Sequence, residues 1–202
     1  MVDDMLLTIY QSSETVLTMG EVAQLFPAIS YKRLKDRLSY FAKTGRLRRL
    51  RPGIYAKPDY NPLELANKVY KPAYISLETV LFKAGVVFQT YRTIFAVSYL
   101  TRAVIIDQTE LQFRRMKDAV LTNLTGIEPQ IGYFMATPER AFLDAVYIYR
   151  DYHFDNLDAL NWDKVQLLKD IYQSRAFKAR VDDYYKIYQA DHGLTSIFIE
   201  VF

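Results

Sequence analysis

The chain has 202 residues, half of them apolar or aromatic, enough to bury a substantial core as one large domain or two smaller ones. It contains no cysteine, which excludes a disulfide framework and a thiolate metal site and makes a reducing, cytoplasmic setting the expectation. Net charge is only +3, but residues 30–57 carry ten Lys or Arg against the single Asp36, a local +9, whereas residues 58–202 sum to −2.

Positive charge confined to one segment is the electrostatic footprint of a nucleic-acid site. Asp3 and Asp4 stand where a secretion signal carries Lys or Arg, and no apolar run approaches the roughly 20 residues of a membrane span, so no membrane partner is expected.

Val2, Met5, Leu6 and Ile9 recur at helical spacing and predict a first helix ending near residues 11–13. Thr18 and Glu21 have capping-box spacing and open a second helix, with Val22, Leu25 and Phe26 on its inner face until Pro27 stops it. After a short break, Ser30 is placed to cap a third helix running to about Thr44, where Gly45 supplies a left-handed stop.

On that third helix Leu34, Leu38 and Phe41 form one apolar stripe. Lys32, Asp36, Ser39 and Lys43 lie opposite, flanked by Arg33 and Lys35, while Arg37 falls only about 60° from the stripe and is assigned to the rim. In a helix-turn-helix the N-terminal half of the second helix of the pair enters the major groove. Tyr31, Lys32, Arg33, Lys35 and Asp36 are therefore the expected base readers.

Pro52 and Gly53 fit the central positions of a type II turn, so their flanks predict a small hairpin carrying Arg46, Arg48, Arg49, Arg51 and Lys57. Together with Arg37, Ser39 and Lys43, these are the expected contacts to phosphate or the minor groove. Residues 1–57 thus read as a winged helix-turn-helix for double-stranded DNA.

Beyond residue 58 the pattern alternates. Helices are predicted near 62–70 and 76–84, strands at 93–99, 103–106, 109–114 and 130–135, and a helix over 138–149. Two further helices are expected at 162–172 and 176–190, while 194–202 is too uniformly apolar to assign. The expected class is α+β: an N-terminal winged helix-turn-helix, then a larger mixed α/β domain over 58–202.

Ser76 is placed to cap a helix closed by Gly85, and Thr137 to cap one with Pro138 at its first position. Glu78, Glu139, Arg140 and Asp144 resemble a carboxylate site on paper, but a first-turn Glu complements the helix dipole and Arg140 pairs with a neighbour, so the reading is structural. The seven glycines never cluster into a phosphate loop, and no metalloprotease or nucleophile-elbow motif is present. His153 and His192 stand alone, so no catalytic, cofactor or metal residue is assigned and the chain reads as a non-enzyme. Arg114, Arg115 and Lys117 form a basic cluster outside the first module, and Tyr184, Tyr185 and Tyr188 suit either packing or an interface.

Three stretches carry a resemblance. They are Gly45-Arg-Leu-Arg-Arg-Leu-Arg-Pro-Gly-Ile-Tyr55, Pro72-Ala-Tyr-Ile-Ser-Leu-Glu-Thr-Val-Leu81 with Gly85 after it, and Ala136-Thr-Pro-Glu-Arg-Ala-Phe-Leu-Asp144. In order and spacing they resemble the AbiEi family of antitoxins, transcriptional regulators of bacterial type IV toxin–antitoxin systems linked to phage defence. The resemblance implies a repressor that reads inverted repeats at its own operon. It also implies a C-terminal domain that opposes a co-encoded nucleotidyltransferase-type toxin without forming a stable complex. The alternative is a stand-alone winged-helix regulator whose C-terminal domain binds a ligand or protein.

Overall fold

The computed structural model describes residues 4–193, so Val2 and the segment 194–202 lie outside the described residues. Helix α1 (Asp4–Gln11) buries Met5 and Ile9. A three-residue strand, β1 (Val16–Thr18), follows and leads directly into α2 (Met19–Leu25). The capping box is complete: the Thr18 hydroxyl accepts the Glu21 N–H, and the Glu21 carboxylate accepts the Thr18 N–H at 2.7 Å. The inner face of α2 is narrower than expected. Met19 and Val22 are buried, but Leu25 is exposed, and Phe26 packs inward only after its backbone has left helical angles.

Helix α3 (Tyr31–Lys43) buries Leu34, Leu38 and Phe41, as the stripe predicts. Ser30 occupies the cap position, yet its side chain makes no capping bond. At the other end Gly45 has φ +70°, the Arg46 N–H reaches the Phe41 carbonyl and the Gly45 N–H that of Ala42. That Schellman closure turns the chain straight into β2 (Arg48–Arg51). Gly53, at φ +80°, then turns it back into β3 (Ile54–Ala56).

The three strands form an antiparallel sheet in the order β1-β3-β2. Its two faces serve different cores because strand side chains alternate. Leu17 and Tyr55 join Met5, Ile9, Val22 and the α3 stripe, while Val16, Ile54 and Ala56 belong to the large core of the following residues.

Helix α4 (Pro62–Val69), capped by Asn61 with Pro62 in its first turn, lies against that second face and against the large sheet. The large sheet holds β4 (Ala73–Ile75), β5 (Ile94–Ser98), β6 (Arg102–Ile106), β7 (Thr109–Arg115), β8 (Ile127–Gln130) and β9 (Tyr133–Ala136). Their order is β6-β7-β5-β4-β9-β8, with β4–β9 and β5–β7 parallel and the other pairs antiparallel. The single strand expected at 130–135 is instead a hairpin, because Gly132 at φ +78° reverses the chain between β8 and β9.

Helices α5 (Glu78–Lys83), α7 (Pro138–Ile148), α8 (Trp162–Leu168) and α9 (Arg175–Asp191) pack together, with α7 in contact with the other three. A short α6 (Asp118–Leu121) follows β7. The tyrosines of α9 are packing residues in part: Tyr184 meets Phe142 and Phe154, and Tyr185 and Tyr188 lie on Trp162. The described chain is a mixed α+β fold, and none of its helices is long and apolar enough to cross a membrane.

Candidate nucleic-acid interface

The stripe that fixes α3 in its core also fixes what α3 presents. Tyr31, Lys32, Arg33, Lys35, Asp36 and Arg37 are exposed along its first two turns, and Lys43 is exposed at its last. Ser39 is half-buried. Among the described residues the side chains of Lys32, Arg33, Lys35, Lys43, Arg46 and Arg49 have no hydrogen-bond or ion-pair partner. The five expected base readers therefore share one end of one helix; three of them are cations, and with Lys43, Arg46 and Arg49 they make six without a hydrogen-bond or ion-pair partner among the described residues.

The hairpin cations divide. Arg46 and Arg49 are exposed beside the end of α3. Arg48 pairs with Asp107 at 3.0 Å and lies 5.8 Å from the centroid of the Tyr60 ring. Arg51 is half-buried, its guanidinium 5.5 Å from the Tyr70 ring centroid. Lys57 donates to the carbonyls of Ser12 and Tyr10 at 2.5 and 3.1 Å. The turn itself is stitched down, because the Gly53 carbonyl accepts the Met19 N–H at 2.8 Å. Three of the five expected hairpin cations thus have their charged ends engaged within the protein.

Behind α2 and β1 lies a charged junction that the sequence reading did not single out. Glu64, buried on α4, accepts the Thr15 and Val16 N–H groups and the Thr15 hydroxyl. Lys68, also buried, donates to Glu14, to the Val16 carbonyl and to Glu21. Lys71 reaches Glu21 at 2.8 Å. Burial pushes the Glu21 carboxyl up, but the bonds from Lys71, the Thr18 N–H and Lys68 outweigh it and bring it down to about 2. The spacing of Glu64 and Lys68 gives a common helical ion pair; only tertiary structure turns both toward β1.

The second and third stretches of the resemblance meet in the large core. Asp144 accepts the hydroxyls of Tyr74, Ser76 and Tyr172 at 3.1, 2.8 and 2.7 Å, and Arg140 lies 3.4 Å from it. Ser76 is therefore not a helix cap; its hydroxyl is spent on Asp144, and Leu77 at φ +55° precedes α5 instead. Arg140 also donates to the carbonyls of Val120 and Thr125, which holds the chain around α6 against α7. Burial works against its charge, but Asp144, Tyr172 and Tyr74 outweigh burial and keep the guanidinium protonated. With Arg140 and Asp144 fully buried, this set acts as a structural cross-brace.

The remaining singled-out residues lie apart. Arg114 is half-buried over the Tyr149 ring, while Arg115 and Lys117 are exposed. Glu78 is buried, and burial pushes its carboxyl up. Glu139 accepts the Asn161 N–H at the start of α8. His153 faces solvent near Asp155, and His192 pairs with Asp158 at 3.3 Å. No group of three or more His, Cys, Asp or Glu suited to a metal ion occurs among the described residues. Compared with protein-family models and with curated proteins, the chain has no match.

Proposed function

We propose that the chain is a DNA-binding transcriptional repressor whose first 57 residues act as a winged helix-turn-helix. The observation that carries this is the outward face of α3, where Lys32, Arg33 and Lys35 stand exposed and unpaired among the described residues at the end that enters a major groove. The order α1-β1-α2-α3-β2-β3, with β1 completing a three-stranded sheet, supports it. In this reading Arg46, Arg49 and Lys43 neutralise phosphates, whereas Arg48, Arg51 and Lys57 hold the hairpin to the rest of the chain.

The resemblance to AbiEi antitoxins extends the proposal to repression of its own operon and to opposing a nucleotidyltransferase-type toxin without a stable complex. Fluorescence anisotropy with the DNA upstream of the chain's own gene, against a scrambled duplex, tests the repressor reading. Arg33→Ala and Lys35→Ala are expected to weaken binding and narrow the preference for the upstream DNA, each by about 1–3 kcal/mol. Arg49→Ala should weaken binding to both duplexes alike. Equal losses on both duplexes from all three variants would refute this division of roles.

A further inference from the structure

A cavity of about 420 Å³, within the usual range for a small-molecule site, lies between α4, β4, α6 and the β8–β9 hairpin. Its walls are apolar: Tyr74, Leu121, Leu124, Ile127 and Phe134, with Leu124 65% exposed and Phe134 44% exposed at the mouth. It adjoins a polar hollow of about 230 Å³ bounded by Glu14, Glu21 and Lys68, and Asn67, Lys71 and Phe134 line both.

The polar groups at this boundary are not equally available. Lys68 is buried and already has Glu14, Glu21 and the Val16 carbonyl as acceptors for its three N–H groups. Asn67 is paired with the backbone of Phe134 through both its oxygen and its nitrogen. Lys71 has one acceptor among the described residues, Glu21, and its side chain is 53% exposed, so two of its three donors are free for a ligand.

We infer that this cleft binds a small amphiphilic carboxylate, with its apolar part against Leu121, Leu124, Ile127 and Phe134 and its carboxylate on Lys71. A bound carboxylate shares the ammonium that Glu21 now holds. Glu21 also closes the capping box of α2, the helix that precedes α3, so occupancy is coupled to the geometry of the α2–α3 pair. The site itself does not depend on the DNA-binding reading; only the consequence for DNA rests on it.

Calorimetric titration of the full chain with octanoate, octanol and octylamine tests the site in the absence of DNA. Octanoate is expected to saturate at one per chain, and octanol and octylamine, which offer Lys71 no carboxylate, to bind about tenfold more weakly. Lys71→Met should lower octanoate affinity about tenfold and leave octanol unchanged, while Leu124→Asp, at an exposed position, should lose both ligands with an unaltered circular-dichroism spectrum. Absence of saturable octanoate binding, or equal binding to Lys71→Met, overturns the proposal. So does a dimer that Leu124→Asp converts to monomer, since the cleft is then a contact between copies. In a parallel amide NMR titration the Thr18 and Glu21 resonances should move. Binding without that movement overturns the coupling to α2. A chain that binds octanoate but not DNA overturns the repressor reading and not the site.

Discussion

Glu64 accepts the Thr15 and Val16 N–H groups at 2.7 and 2.9 Å, so a buried carboxylate finishes the otherwise open start of β1. Gly132 makes room for it: a Cβ there would come within 2.7 Å of the Glu64 carboxyl carbon, and φ is already +78°. Gly132→Ala is therefore expected to destabilise the chain by about 2–3 kcal/mol in urea denaturation. Gly85→Ala, at φ +72° but in open space, should lose only about 1 kcal/mol. Equal losses would contradict the close approach. Glu21 is sensitive to pH instead. Its carboxyl is depressed from 4.5 to about 2, so the stability it contributes is present above its ordinary value and is lost as pH falls toward about 2. The stability gap between the wild-type chain and Glu21→Gln should accordingly shrink between pH 7 and pH ~3, whereas a pH-independent gap would show that Lys68 and Lys71 do not hold the charged form.

Among elements, the long amphipathic helices were legible because their apolar spacing persists: Leu34, Leu38 and Phe41 define α3, and Pro138 marks the start of α7. The strands β1 and β4 have three residues each, too few for an alternation to emerge, and both are held by partners distant in sequence. The expected strand at 130–135 concealed a hairpin whose one local signal was Gly132. Of the candidate interface, the α3 face could be read from charge and helical period. The engagement of Arg48 and Arg51 could not, because Asp107 and Tyr70 reach them only through the fold. The same turn offers a test at this scale. Asp107 and Gln108 have φ of +49° and +68°, the signature of a type I′ connection between β6 and β7. Gln108→Gly is expected to raise stability by up to about 1 kcal/mol in thermal unfolding, and a lowered midpoint would contradict that turn assignment.

Across the whole molecule, one small sheet divides its faces between two cores, and α4 locks the second face in place with Glu64 and Lys68. The consequence is a fixed platform from which α3 and the exposed Arg46 and Arg49 project positive charge, while the rest of the chain is slightly negative. The proposed function requires this platform to bind DNA through its phosphates, and the salt dependence of affinity for a duplex reads those contacts out. With Lys43, Arg46 and Arg49 neutralising three phosphates, log K should fall with log salt at a slope of roughly −3. A flat response between low and physiological salt would contradict it.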